Sequence, residues 1–167
     1  FDANLDGVPD GIPLNFFSDP RIRKGFAYLF DYAKFIHEVW LDEAVQPSSP
    51  VLEGIPYHID VDKYCLDITK ATQLFQEASN DPSSPAYQVM VKGFYMKITY
   101  PTANAPRQVA ADILKTNALL VNQKFKIDTL AVPWSTYLGE LWWYPTFKSI
   151  MPLYIMGWQT DFPDPHN

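Results

Sequence analysis

The last eleven residues of the chain, GWQTDFPDPHN, hold two carboxylates three positions apart, which are candidates for acid–base chemistry. In glycosidases such paired carboxylates come from separate elements and face each other across the substrate. Here Pro163 and Pro165 make the segment around Asp161 and Asp164 a stiff, extended turn. No GxSxG elbow, phosphate-binding loop or GxGxxG motif occurs elsewhere. The sequence contains no recognisable catalytic set, and we expect a protein that is not an enzyme.

Possible metal ligands are present but lack the spacing of a metal site. Asp2, Asn4 and Asp6, followed by Gly7, imitate the start of a calcium loop, but Pro13 stands where the acidic twelfth residue should be. Asp, Asn and Gly are also common in ordinary turns. The three histidines and the single cysteine show no metal-ligand spacing to one another. We therefore predict no cofactor, no metal and no tight calcium site in residues 1–13.

Composition excludes several classes of partner. A net charge of -6 and a pI near 4.9 disfavour nucleic acid, which is bound by clustered Lys and Arg. No apolar run reaches the roughly 18 residues that a membrane-spanning helix needs. Cys65 is the only cysteine, so an internal disulfide is excluded. The chain opens at Phe1 without a signal peptide or lipid-anchor cysteine, and we expect an excised piece of a longer protein.

Helix signals recur in the first half of the chain. Residues 1–17 are rich in Gly and Pro and are predicted to form a loop. Ser18 or Asp19 can cap a helix whose first turn holds a proline, and Asp67 can cap another. Between these helices, the Pro- and Ser-rich residues 45–66 indicate a long surface segment. Helical spacing predicts three apolar stripes, Ile22, Phe26, Leu29 and Phe30, then Phe35, Ile36, Val39 and Trp40, then Ile68, Ala71, Leu74 and Phe75.

The second half alternates strands and helices. Residues 94–100 and 125–130 are predicted strands, 105–122 and 135–143 are predicted helices, and 153–158 is a third, nearly all-apolar strand. This order predicts an α/β fold with a parallel sheet. The apolar run within the third strand predicts a central position, covered on both faces. Candidates for the buried face of the first of these helices are Val109, Ile113, Leu114 and Leu120.

Six segments carry a resemblance to a known family. They are SDPRIRKGFAYLFDYAKFI, EAVQPSSPVLEG, KATQLFQEA, FYMKITYPTANAPRQVAADILK, VPWSTYLGEL and the terminal IMGWQTDFPDPHN. In this order they resemble the large C-terminal lobe of the dipeptide- and oligopeptide-binding proteins of ABC importers, family 5 of the extracytoplasmic solute-binding proteins. The resemblance covers residues 15–167 and is most specific in the terminal segment. It implies an α/β lobe of a type II periplasmic-binding-protein-like fold, with a mainly parallel sheet flanked by helices. Residues 1–167 would form a single lobe of a two-lobe protein, and residues 1–17 would be the loop that leads into this lobe.

The same resemblance implies a peptide site after the last strand. Asp161 holds the position that pairs with the peptide's free α-amino group, although it could instead cap a turn before Phe162. Trp158 and Trp134 match tryptophans that line the cleft, although each could instead belong to the core. The implied ligand-binding set is Asp161, Trp158, Trp134, Gly157, Gln159 and Thr160, of which Gly157, Gln159 and Thr160 contribute backbone groups or close approach.

Two departures from the family pattern leave the ligand open. Leu141 and Ile155 stand where some oligopeptide binders carry arginines that bind the ligand's carboxylate. A cation for the carboxylate is therefore absent or comes from the other lobe. A receptor for an oligosaccharide, a metal chelate or another solute is the alternative, because aromatic surfaces suit sugars as well as peptides. The rival of a different class is a small α/β hydrolase or transferase using Asp161 and a histidine. Such an enzyme would need a nucleophile, a base and an oxyanion site, and the sequence offers no such arrangement.

The resemblance also implies partners and a compartment. The protein would be the substrate-binding component of an ABC transporter, located outside the cytoplasm, in the periplasm or anchored to the outer face of the cell membrane. Its expected partners are a peptide or other small solute, the membrane permease and the missing second lobe of the same protein. No nucleic acid is expected.

Overall fold

Helices and a three-stranded sheet make up the fold. The computed structural model describes residues 10–142, 151–157 and 161–162. In chain order the elements are a 3-10 helix (Phe16–Ser18), α1 (Pro20–Leu29), α2 (Tyr32–Trp40), α3 (Ile68–Asn80), α4 (Val89–Lys92), β1 (Phe94–Pro101), α5 (Ala105–Val121), β2 (Phe125–Val132), α6 (Trp134–Leu141) and β3 (Leu153–Tyr154). Most of the calcium-like sequence, residues 1–9, lies outside the described residues.

Aspartate caps fix the starts of α1 and α3. The Asp19 carboxylate accepts a hydrogen bond from the backbone N–H of Arg21 at 2.8 Å, and Asp67 accepts one from the N–H of Lys70 at 2.8 Å. Each bond satisfies an N–H group that the first helical turn leaves free. Both predicted helix starts are confirmed. Of the predicted inward-facing residues on these two helices, Ile22, Phe26, Leu29, Ala71, Leu74 and Phe75 are buried, and Phe30 and Ile68 are partly buried.

Residues 41–67 connect α2 to α3 without helix or strand, as predicted for residues 45–66. Helix α2 buries none of its residues. Its apolar side and residues 44–48 and 61–64 instead line a groove of about 420 Å³. Apolar side chains of the connecting segment are also exposed, Tyr57 by 86% and Ile59 by 64%. Much of the exposed apolar surface of the described residues therefore lies on α2 and this segment.

The strands are parallel, in the order β2-β1-β3. Strand β1 pairs with β2 along its whole length, from Phe94 opposite Phe125 to Pro101 opposite Val132, whereas β3 pairs with it over two residues. The parallel α/β prediction is confirmed. The central position predicted for 153–156 is wrong for the described sheet, because β1, which is almost entirely buried, occupies the centre. A short apolar run does not distinguish a central strand from an edge strand, and Tyr154 is 39% exposed at this edge.

Aromatic rings dominate the core between the sheet and helices α1 and α3. The rings of Phe94 and Phe125 stack with centroids 4.4 Å apart, and Phe75 packs against Phe125 at 5.1 Å. Gly25 of α1 permits this packing, because a Cβ at that position would lie 2.9 Å from the ring of Phe75. The main core thus joins β1 and β2 to the helices on which they pack.

Helix α5 turns a face rich in small residues to the core. Its buried residues are Ala110, Ala111, Ile113, Leu114 and Ala118. The prediction that Leu120 is buried is wrong, since its side chain is 63% exposed. At 3.6 residues per turn, Leu120 lies about 200° around the helix from the buried Ala118, on the opposite side. Among the described residues, none of the helices combines the length and apolar character needed to cross a membrane.

Candidate functional site

Parallel pairing brings the carboxyl ends of the three strands to one edge of the sheet. Open α/β sheets bind ligands at this edge, outside the strand ends. Helix α5 begins shortly after β1 and carries Arg107 in its first turn. Trp134 opens α6 directly after β2, and Gly157 follows β3. Residues from three separate stretches of the chain therefore converge there.

A cation and two aromatic rings form the centre of this edge. Trp134 and Tyr137 are one helical turn apart on α6, and their rings stack with centroids 5.6 Å apart and an angle of 14°. The guanidinium carbon of Arg107 lies over both rings, 5.8 Å from the Trp134 centroid and 6.0 Å from that of Tyr137. Such distances allow a cation–π attraction. Trp134 remains 50% exposed, whereas Tyr137 is fully buried, so the cluster offers one aromatic face to a ligand.

Tyr137 links α6 to the chain beyond β3. Its hydroxyl donates a hydrogen bond to the main-chain carbonyl of Ile155 at 2.6 Å. Burial raises the pKa of Tyr137, so the hydroxyl keeps its proton and remains a donor at neutral pH. This bond fixes the segment that leads to Gly157 against the aromatic pair.

Gly157 leaves space for the arginine. A Cβ at this position would lie 3.1 Å from Nη2 of Arg107, closer than ordinary van der Waals contact. The absence of a side chain at Gly157 therefore allows the guanidinium to lie against the end of β3. From the sequence, Gly157 was expected to allow a ligand to approach the main chain closely. In the structure, the group that lies close to Gly157 is the guanidinium of Arg107.

The predicted site residues have different outcomes. Trp134 lies at the strand-end edge and is half exposed, and Asp161 is exposed. Within the described residues, no side-chain hydrogen bond or ion pair involves Asp161. No contact there therefore supports the alternative that Asp161 caps a turn. Trp158, Gln159 and Thr160 lie outside the described residues.

Arg107 is the residue that the sequence analysis missed. The two positions at which some relatives carry a cation, Leu141 and Ile155, hold apolar packing residues, Leu141 in a cluster with Tyr137 and Ile155 against the main core. The place of Arg107 in the sequence could have identified it, because Arg107 lies in the first turn of a helix that follows a buried strand. Such turns face the ligand edge of a parallel sheet.

A Ser–His–Asp grouping in the connecting segment does not have the geometry of a catalytic triad. Nδ1 of His58 lies 2.6 Å from the carbonyl oxygen of Val51, and Nε2 lies 3.2 Å from Oδ1 of Asp60. Both ring nitrogens therefore face acceptors, and the Val51 carbonyl, followed by Asp60, raises the pKa of His58. Ser49 donates its hydroxyl proton to the same carbonyl at 2.8 Å. A catalytic base needs a ring nitrogen that is free to accept the serine proton, and both nitrogens of His58 already face other acceptors. Across residues 10–142, 151–157 and 161–162, no group of three or more His, Cys, Asp or Glu could hold a metal ion.

Solved structures with a similar fold include three bacterial proteins, each in complex with a ligand. The oligopeptide-binding protein AppA from Bacillus subtilis, in complex with a nonapeptide, is 23% identical with a TM-score of 0.67, over 91% of this chain and 30% of that one. DppA from Helicobacter pylori, an ABC transporter-associated periplasmic binding protein in complex with the peptide STSA, is 19% identical with a TM-score of 0.64, over 90% and 26%. NikZ from Campylobacter jejuni, in complex with Ni(L-His), is 18% identical with a TM-score of 0.66, over 90% and 29%. The chain therefore spans less than a third of the length of each of these proteins.

Sequence comparison gives the family directly. None of the curated proteins searched matches the chain. A family model described as "Bacterial extracellular solute-binding proteins, family 5 Middle" matches residues 11–167, which is nearly the whole chain. The chain belongs to family 5 of the bacterial extracellular solute-binding proteins.

Proposed function

We propose that this chain is one lobe of the substrate-binding component of an ABC importer and that the complete protein binds peptides in a cleft between two lobes. Family membership and the likeness to peptide-bound AppA and DppA support this function. Residues 1–167 belong to a single lobe, and residues 1–17 lead into it. The complete protein works outside the cytoplasm, in the periplasm or anchored to the outer face of the cell membrane, and catalyses no reaction.

The observation that carries the proposal is the exposed carboxylate of Asp161, which has no side-chain partner among the described residues and lies on the stretch that follows the carboxyl end of β3. A carboxylate in a cleft pairs well with a peptide's α-ammonium group, and the pair strengthens when lobe closure removes water. Trp134 and Trp158 line the side-chain pockets. Gly157, Gln159 and Thr160 contribute main-chain groups, which bind a peptide backbone without selecting its side chains.

Ligand binding acts on the shape of the complete protein. A peptide that touches both lobes binds the closed form more tightly than the open form and therefore shifts the population toward closure. The membrane permease recognises this closed shape. The partners of this chain are accordingly the peptide, the second lobe of the same protein and the permease.

A second candidate function is the binding of an oligosaccharide. The half-exposed Trp134 favours this candidate, because a flat aromatic face also stacks on sugar rings. A metal chelate is a third ligand class, suggested by the Ni(L-His) complex of NikZ.

Mass spectrometry of the full-length protein, purified without denaturation, tests the proposal. We expect masses of short peptides to co-purify with the wild type and to be depleted in Asp161→Asn protein from the same cells. Sugar masses or a nickel chelate in place of peptides would favour the alternative ligands. Recovery of no peptide after incubation with peptide-rich medium would contradict the proposed function.

A further inference from the structure

Tyr137 is a buried phenol in a small cluster that is separate from the main core. Its side chain is fully buried and belongs to a group with Val132, Leu141 and Met151. A phenylalanine would supply the same apolar ring at this position. What tyrosine adds is the hydroxyl, which donates to the main-chain carbonyl of Ile155 at 2.6 Å. The hydroxyl is therefore the part of this side chain that packing does not explain.

The main chain at Ile155 is held by few other contacts. Strand β3 pairs with β1 over two residues, and the ladder ends at Tyr154. Apart from that ladder, no hydrogen bond within the described part of the chain involves Ile155, Met156 or Gly157 except the one from Tyr137. Met156 is 42% exposed, so packing restrains it only in part. The hydroxyl of Tyr137 therefore extends the fixed part of the chain beyond the last paired residue.

Tyr137 itself lies on a firmly held part of the fold. Helix α6 begins directly after β2, which pairs with β1 along its whole length. The ring of Tyr137 also stacks on that of Trp134, with centroids 5.6 Å apart. The bond to Ile155 thus ties the end of the weakly paired β3 to the strongly paired half of the sheet. The stretch that continues from Gly157 leads to Asp161, the carboxylate proposed to bind the peptide's amine.

We propose that Tyr137 is a positioning residue for peptide binding. Its hydroxyl fixes the end of β3 and thereby holds Asp161 in the arrangement that binds the amine. Without this bond, the stretch between them adopts more arrangements in the free protein, and restricting them on binding lowers the affinity. The inference rests on the proposed peptide function and deepens it, because Tyr137 acts on the ligand through Asp161 and not by contact.

Titration of the full-length protein with one retained peptide, in its free and N-acetylated forms, tests this inference. Tyr137→Phe removes the hydroxyl and keeps the ring. We expect it to weaken binding of the free peptide about three- to tenfold, the factor that corresponds to one hydrogen bond between uncharged groups. The acetylated form, which has no charged amine for Asp161, should lose little affinity. In protein that already carries Asp161→Asn, Tyr137→Phe should change the affinity for the free peptide by less than about twofold, because the effects of residues that act through one another are not additive.

Tyr95→Phe is the matched control. It removes a hydroxyl that donates to Asp128 at 3.0 Å, on the second residue of β1, at the end of the strand away from the ligand edge. Its affinity for both forms of the peptide should equal that of the wild type. Melting temperatures of all variants are measured as well, because a purely structural loss lowers thermal stability without distinguishing the free peptide from the acetylated one.

The outcomes separate the inference from the proposed function. Tyr137 does not act through Asp161 if Tyr137→Phe leaves the affinity for the free peptide unchanged, weakens both forms equally, or keeps its full effect beside Asp161→Asn. Peptide binding is intact in each of these cases. Equal affinity of the wild type for the two forms would remove Asp161 from the site and overturn the inference with it. Binding of neither form by the wild type would contradict peptide binding and the inference together.

A second variant tests the same donor if Tyr137→Phe does not fold. Tyr137 is then replaced site-specifically by a ring-fluorinated tyrosine, whose hydroxyl loses its proton at a lower pH than that of tyrosine. Relative to the wild type, the affinity for the free peptide should fall as the pH rises through the pKa of the analogue, because an ionised hydroxyl cannot donate to the Ile155 carbonyl. The same pH dependence in both proteins would overturn the inference.

Discussion

At the scale of single residues, the contacts of Asp19 show how one buried carboxylate joins the start of α1 to the turn that follows α3. It accepts hydrogen bonds from the backbone N–H and Nη2 of Arg21, at 2.8 and 2.7 Å, and from the hydroxyl of Ser84 at 2.6 Å. Nη2 of Arg21 also donates to Asp81, just beyond α3. The side-chain hydrogen bond from Arg21 is the largest cause that lowers the pKa of Asp19 to about 2, and Ser84 adds to it against the opposing effect of burial.

We expect Asp19→Asn to destabilise the chain by about 2 kcal/mol at neutral pH, the value that corresponds to lowering a pKa from 3.8 to about 2. Asn still caps α1 but lacks the charge. Because the folded-state pKa is below the ordinary value, this stability is present above pH 3.8 and is lost as the pH falls through about 2. Urea unfolding of wild type and variant at several pH values measures the difference.

Asp31→Asn is the matched control, since Asp31 caps α2 through a solvent-exposed hydrogen bond that it accepts from the N–H of Lys34 at 3.0 Å. Its effect should be below about 0.5 kcal/mol, because Asn caps a helix as well as Asp does. A difference between wild type and Asp19→Asn that does not shrink in acid would show that the charge of Asp19 is not its source.

Asp161 has no ion-pair partner within the described residues, and a ligand amine is the partner that we propose. In the full-length protein, Asp161→Asn should weaken peptide binding by about 1.5–3 kcal/mol, the usual contribution of a charge-assisted hydrogen bond. Calorimetric titration with free and N-acetylated forms of one retained peptide measures the effect. The acetylated form should bind the wild type weakly and lose little more in the variant. Equal affinity of the wild type for both forms would mean that Asp161 does not bind the amine.

At the scale of elements, the turn from α4 into β1 depends on a glycine. Gly93 has a φ of 69°, and a Cβ there would lie 2.4 Å from the carbonyl oxygen of Lys124, which accepts a hydrogen bond from Phe94. Its φ and ψ of 69° and -168° belong to a region that is nearly restricted to glycine. The first pair of the β1–β2 ladder therefore requires a residue without a side chain at this point.

Gly93→Ala should destabilise the chain by about 2 kcal/mol or more, since backbone strain of about 1–3 kcal/mol adds to a clash with main-chain atoms. Gly139→Ala is the matched control, because a Cβ there meets no atom within 4 Å. In helix α6, alanine should be neutral or stabilise by up to about 1 kcal/mol. Thermal unfolding of both variants gives the comparison, and similar melting temperatures would contradict the role assigned to Gly93.

The elements that the sequence predicts well are those defined by local signals. Asp19 and Asp67 start helices through contacts within three residues along the chain, so their caps are visible in the sequence. The edge position of β3 depends on which strand occupies the centre of the sheet, and no short pattern encodes that. The exposure of Leu120 depends on which side of α5 packs against the core. Arg107 was missed for the same reason, because its site exists only where α5, α6 and the end of β3 meet.

At the scale of the whole molecule, the candidate site occupies one edge of the sheet and the exposed Trp134 faces away from the core. We propose that the complete protein closes a second lobe over this edge. Full-length protein should therefore become more compact on adding a retained peptide, with a smaller radius of gyration in small-angle X-ray scattering. Asp161→Asn at the same peptide concentration should show a smaller change. An unchanged radius for the saturated wild type would contradict closure.

The register of the sheet has a consequence for the order in which the chain acquires its structure. Strands β1 and β2 pair at a constant separation of 31 residues (125 minus 94), with α5 between them, whereas β3 pairs with β1 over two residues that lie 55 positions away (153 minus 98). Contacts between closer residues form with less loss of chain entropy, so β1, α5 and β2 should assemble first and β3 should dock last. During synthesis, this unit can fold before the residues that carry Gly157 and Asp161 have left the ribosome. The ligand edge is then completed by the last strand to arrive, and mutations at β3 should mainly accelerate unfolding while leaving the folding rate unchanged.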